Sequence, residues 1–231
     1  MDRGLFIAAA GMRAEQTRQD QLSSDLANAA TAGYKRDRTT QTSFGDMLLR
    51  NTRTGADVGR VGLGPYADQT HTDLTANPSR ETGEALDFAI EGDGFFALQT
   101  DAGVRYTRGG QFRVSPAGTL ADARGNQVLG RNNQPIQVGA DGRVDPTELG
   151  VVALTDPVKR GEGLFEGAAA GNAGVGTVRQ GALETSGVDP TRAMVDMIAS
   201  LRAFEAGQKS ITTIDETLGR AASQVGDTRG Q

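Results

Sequence analysis

The chain has 231 residues, a net charge of −5, 32 glycines, no tryptophan and no cysteine. Disulfides, thiolate metal sites and cysteine nucleophiles are therefore excluded. Acids and bases are interspersed, and the one basic cluster, Lys35, Arg36 and Arg38, is too small to mark a nucleic-acid surface, so no nucleic-acid partner is expected.

The first apolar run, Leu5 to Met12, is far shorter than the roughly 20 residues of a membrane span. It is also a poor signal peptide, because Asp2 cancels Arg3, so export without a cleaved signal stays open. Steps of three and four connect Leu5, Ala8, Met12, Glu15, Gln19, Leu22, Leu26 and Ala29. This is a heptad seam with polar residues in its middle, and it predicts a helix over 4–31. Gly33 follows as the left-handed residue expected to end it.

Residues 50–84 are rich in Gly, Thr, Asn and Asp with little periodicity, which predicts an extended, irregular connection. From Ala85 to Gln137 the spacing changes to short alternating runs punctuated by glycine. Phe88 and Ile90 alternate with Asp87, Ala89 and Glu91, the period of a half-buried strand. The stretches "GDG", "RGG" and "RGNQ" are predicted to be tight turns joining antiparallel neighbours, and "LGVVALTD" is a further strand. Residues 157–180 form a second irregular connection on the return path. A C-terminal helix is predicted over 190–222, opened by Asp189 as N-cap and Pro190 at the first helical position. Its seam runs through Met194, Met197, Leu201, Phe204, Gln208, Ile211, Asp215, Leu218 and Ala222.

The expected fold class is thus α+β. Long N- and C-terminal helices pair as an antiparallel coiled coil, with a small antiparallel β domain and extended connections inserted between them. The segments are 1–36, the N-terminal helix; 37–84, an extended connection; 85–156, the β domain; 157–188, the return connection; and 189–231, the C-terminal helix and tail. The polar seam positions serve either this pairing or the register of several chains.

Chemistry is hard to place on this sequence. His71 is the only histidine, with only Asp68 and Asp73 near it, so no metal site is expected. No G-x-S-x-G elbow exists, and catalytic residues are not expected. "GDGFFA" formally matches a dinucleotide fingerprint but runs on into a strand instead of a helix, so no cofactor is expected. Asp87, Glu91 and Asp93 fit a strand surface better than a glycosidase pair. The rival readings are a secreted cell-wall glycan hydrolase and a soluble monomer whose β domain binds a ligand.

Three blocks carry a resemblance. "LFIAAAGMRAEQTRQDQLSSDLANAATAGYKR", "LDFAIEGDGFFAL … YTRGGQFRVSPAGTLADARGNQVLG" and "GALETSGVDPTRAMVDMIASLRAFEAGQKSITTIDETLGRA" together resemble the flagellar basal-body rod and hook protein family, in the family's order. Leu26, Ala27, Asn28, Thr31, Gly33, Tyr34 and Lys35 match its first motif; Leu183, Glu184, Ser186 and Val188 match the segment before its last helix. Asp25 stands where asparagine is usual, and Gly187 replaces the asparagine of S-N-V.

The resemblance implies a structural subunit, not an enzyme. Its terminal helices would polymerise helically into a torque-transmitting drive shaft in the basal body. The compact β domain favours a rod subunit of the proximal or distal type. The implied partners are further copies of the chain, other axial rod and hook proteins, and the flagellar type III export apparatus, with no small-molecule substrate. The residues expected at subunit interfaces are Leu5, Met12, Leu22, Met194, Met197, Leu201, Phe204, Ile211 and Leu218 of the seams. To these are added Leu26, Ala27, Asn28, Thr31, Gly33, Tyr34, Lys35, Ser186 and Val188 of the motifs.

Overall fold

The structure, a computed structural model, describes residues 3–43, 47–50, 53, 57–61, 65–171 and 176–227. The chain divides into two compact units. One holds Met1–Leu26, Asp37–His71 and Pro190–Gln231; the other holds Ala27–Arg36 and Thr72–Asp189.

The first unit carries both long helices, α1 (Arg3–Ala27) and α2 (Pro190–Asp227). It also carries strands β1 (Asp37–Ser43), β2 (Met47–Arg50), β3 (Asp57–Val61) and β4 (Pro65–Thr72). β1 pairs with β4, and β2 with β3, in separate two-stranded ladders. Inside α1 and α2 there is no proline after the first helical position, so nothing interrupts their backbone hydrogen bonds.

The second unit is almost entirely β. Its strands are β5 (Ser79–Glu81), β6 (Phe88–Glu91), β7 (Phe95–Thr100), β8 (Gly103–Thr107), β9 (Arg113–Val114), β10 (Leu120–Ala121) and β11 (Gln127–Leu129). A 3-10 turn at Pro146–Glu148 precedes β12 (Val151–Lys159), β13 (Leu164–Gly171), β14 (Thr177–Gln180) and β15 (Ala182–Glu184). Seven strands follow the order β12-β13-β8-β7-β11-β10-β9, and β12 also pairs with β7. The ring β12-β13-β8-β7 therefore closes on itself as a small barrel, with Val151 opposite Phe96 and Val152 opposite Phe95. Closure removes the free edges these strands would otherwise expose.

Phe95, Phe96, Ala97 and Leu98 of β7 are buried in succession, because β7 pairs along both its edges and packs on both its faces. Phe96 and Leu98 join Phe88, Ile90, Phe112, Leu120, Val128, Ile136, Val144, Leu149 and Val151 in the main core. Phe96 and Phe112 meet edge to face at 5.4 Å, a favoured aromatic geometry.

The expected fold class needs correction. The protein has its two terminal helices, but most of the remainder is β, including a barrel, and the helices do not form a long paired coiled coil with a small β insertion. Leu5, Met194, Leu201 and Leu218, all assigned to the apolar seams, are 40–51% exposed. The least exposed stripe of α2 runs instead through Ala193, Met197, Ser200, Phe204, Gly207, Ile211 and Ile214. Met197, Phe204 and Ile211 of the expected seam lie in this stripe, together with Ala193, Ser200 and Gly207, which the seam had passed over.

The segment expected to be an irregular connection contains β1 to β5. Ladders are built from backbone N–H and C=O groups, so polar, aperiodic sequence can still pair. Turn assignments changed too. "RGNQ" does join paired neighbours, β10 and β11, but "GDG" leads from β6, paired with β14, to β7 in the larger sheet. "RGG" likewise links β8 and β9, which are not neighbours. Asp87 and Ala89 are buried alongside Phe88 and Ile90, so β6 is not half-exposed.

Candidate assembly surface and a buried ionic knot

In the helical unit, α1 and α2 touch through specific small-residue contacts. Ser200 Oγ donates to Glu15 Oε2 at 2.6 Å. Gly207 lies against Met12: a Cβ there would stand 2.8 Å from Met12 Cγ. Glu15 and Met12 thus help join the helices of one chain; Phe204 is half-buried. Leu22, Leu26, Met197 and Ile211 are half-buried.

The other side of α2 is different. Met194, Val195, Ile198 and Leu201 are 51%, 61%, 53% and 48% exposed. Their helical spacing places them in one stripe. On α1, Leu5 and Phe6 are 40% and 59% exposed. No described helix is long and apolar enough to cross a membrane.

In the β unit the two family motifs meet. Glu184 sits at the end of β15 and is 2% exposed, with Lys35 at 1% and Arg108 at 2%. Lys35 Nζ donates to Glu184 Oε1 at 2.6 Å and to the Thr75 carbonyl at 2.6 Å. Arg108 Nη1 donates to Glu184 Oε2 at 3.3 Å, and its Nη2 donates to the Gly92 carbonyl at 2.8 Å. The Asn77 amide adds a bond to Glu184 Oε1 at 2.8 Å. Burial pulls Lys35 and Arg108 below their ordinary pKa values, and Glu184 acts against that shift for both.

Backbone bonds tie the same segments together. Gly33 N donates to Glu184 O at 2.9 Å, Gly187 N to Tyr34 O at 2.9 Å, and Ser186 Oγ to Asn28 O at 3.0 Å. Lys159 lies over the Tyr34 ring, 4.0 Å from its centroid, and donates to the Lys35 carbonyl. Gly33 has φ +69°, but α1 has already ended at Ala27. What requires glycine is close approach: a Cβ would stand 2.3 Å from the Arg108 carbonyl oxygen.

The motif residues expected at subunit interfaces therefore divide. Gly33, Tyr34, Lys35 and Val188 are buried within the unit; Asn28 and Ser186 are half-buried and bonded to each other; Ala27 and Thr31 are exposed. Sequence reasoning named Glu184 only as a motif match and missed Arg108. The available signal was a lone carboxylate in "GALETSG" and an arginine set between threonine and glycines in "YTRGG".

Among the described residues no group of three His, Asp or Glu side chains is placed to hold a metal ion. His71 lies exposed on β4. Glu91 is engaged by Arg179 at 3.2 Å, while Asp87 is buried, so the two carboxylates do not share an exposed face.

Comparison with known proteins identifies the class. Residues 89–149 match the family described as flagellar hook protein FlgE/F/G D1 domain. Residues 179–224 match the flagellar basal body rod FlgEFG protein C-terminal family. Similar proteins include the flagellar basal-body rod protein FlgG of Bacillus subtilis, 32% identical over 94% of this chain and 97% of its own. The FlgG of Agrobacterium fabrum is also 32% identical, covering 93% and 96%. The rod protein FlgF of Mesorhizobium japonicum is 31% identical, covering 89% and 90%. The chain belongs to the flagellar basal-body rod and hook protein family.

Proposed function

We propose that this structural subunit of the flagellar basal-body rod assembles through its helical unit, with a second copy of the chain as the occupant of the exposed stripe on α2. The observation that carries this reading is Met194, Val195, Ile198 and Leu201 standing uncovered on one helix. A contiguous apolar stripe on a helix marks an interaction face. A shaft is an open helical array, which a contact between two different faces of identical chains generates when it does not close into a ring.

The location in the basal body follows from the family, and the neighbours are other axial rod and hook proteins. The chain is a mechanical part, not an enzyme. Its terminal helices form the core of the drive shaft that passes torque to hook and filament. The subunit reaches the basal body through the flagellar type III export apparatus. Leu5, Met194, Leu201 and Leu218 are the large apolar residues among the expected interface positions that the single chain leaves exposed, and they form the proposed contact.

The test is sedimentation velocity of the full chain across a wide concentration range. The wild-type coefficient is expected to rise with concentration, and that of Ile198→Asp/Leu201→Asp to stay at the monomer value. Burying a carboxylate in an apolar contact costs several kcal/mol unless it is paired. A wild-type chain that stays a compact monomer throughout would overturn the reading.

A further inference from the structure

The chain crosses between its two units four times, at 26–27, 36–37, 71–72 and 189–190. All four crossings flank segments that the buried ions tie together inside the β unit. Lys35 stands just before the second crossing, Thr75 just after the third, and Glu184 shortly before the fourth. The Asn28–Ser186 bond reaches back to the first, and Asp73 N donates to Arg36 O at 2.9 Å between the second and third. Arg108, at the end of β8, anchors this cluster to the barrel, and its guanidinium lies 5.3 Å from the centroid of the Phe95 ring.

We infer that Glu184 is the bolt of a latch: one carboxylate that clamps the three segments carrying the four exits of the β unit to its barrel, and whose loss frees those segments while the barrel stays folded.

Three observations support this reading. Two cations from distant parts of the sequence share a single carboxylate, so neither can be replaced by a neighbour. Glu184 also accepts the Asn77 amide on Oε1, so both of its oxygens are engaged. The apolar core through Phe96, Leu98 and Val128 is held by contacts among apolar side chains, which the loss of one carboxylate leaves in place. A buried ion pair contributes little net stability over an apolar substitute, but removing one partner leaves an uncompensated charge. Such a group serves to specify one arrangement of the segments it joins. For a rod subunit this has a mechanical meaning, which rests on the function proposed above: any force carried along the chain into the β unit must enter through the clamped segments. The latch itself does not depend on that function.

Hydrogen exchange on the full chain reads the latch directly. In Glu184→Gln the amides of Gly33, Asn77 and Gly187 are expected to exchange about a hundredfold faster or more. The amides of Leu98 and Val128 should stay within about twofold of wild type. Glu184→Asp keeps the charge but shortens the reach, and the same local pattern is expected at reduced size. If barrel and exit amides accelerate together, or either variant fails to fold, Glu184 is part of the global fold and the latch is wrong. If the exit amides keep their wild-type rates in Glu184→Gln, it is equally wrong. Because the chain's self-association plays no part in this readout, its outcome is independent of the assembly test.

Discussion

In the β unit eleven buried side chains close on one another around β7, while in the helical unit Met194, Val195, Ile198 and Leu201 stand on the surface of α2. The β unit finishes its own packing; the helical unit keeps a large apolar stripe uncovered. Charges are buried in both units: Lys35, Arg108 and Glu184 in mutual contact in the β unit, and Asp25 on α1 in the helical unit. The assembly proposed above would use both behaviours: one part that folds alone, and one whose stabilising contacts come from other chains.

The comparison can be broken or sharpened by substitution. The largest effect is expected for Phe96→Ala, which removes a fully buried ring from the main core. A loss of about 3–5 kcal/mol is expected by chemical denaturation, with the β unit unfolding cooperatively. Gly33→Ala comes next. It combines a positive φ with a backbone oxygen 2.3 Å from the new Cβ, so a loss of about 3 kcal/mol is expected. Gly83→Ala is the control: φ is +76° but no atom lies within 4 Å, and only about 1 kcal/mol should be lost. Equal losses at the two positions would refute the close-approach argument.

A smaller effect concerns pH. A hydrogen bond from the Thr75 hydroxyl, with Arg36 in support, lowers the Asp73 carboxyl from 3.8 to about 2. The folded state therefore binds its proton less readily than the unfolded chain. The stability this supplies is complete above about pH 4 and lost as pH falls through about 2. The side chain is 27% exposed, so solvent screening leaves about 1 kcal/mol. Asp73→Asn should flatten that part of the acid unfolding curve, and an NMR titration of Asp73 would check the pKa.

The smallest effect on stability belongs to Ile198→Asp/Leu201→Asp. Both residues are about half exposed, so the single chain should lose no more than about 0.5 kcal/mol while self-association is lost. If thermal unfolding at low concentration fell sharply instead, the stripe would be internal packing and the contrast between the units would fail.

Some of this was legible in the sequence. Uninterrupted threes and fours predicted α1 and α2, because helix periodicity is local and repeats along the chain. The quoted motifs predicted the family, since matches at both ends and the middle are specific together. The sequence could not show that β7 sits at the centre of a closed barrel, or that polar segments after residue 36 pair as strands. Ladder partners are set by backbone pairing across long separations and leave no local signature. It also misassigned the helix contact, choosing Leu201 and Gln208 where Ser200 and Gly207 face α1, because close approach favours small residues over large apolar ones.

"LANAATAGYKR" shows the boundary most clearly. By itself the sequence determined that a helix ends there and that a glycine must follow in a special conformation. Only the tertiary structure decided that Gly33 faces the Arg108 carbonyl and that Lys35 is spent on Glu184, 149 positions away. A buried charge is stable only beside its partner, and nothing along the chain states which distant carboxylate that partner is.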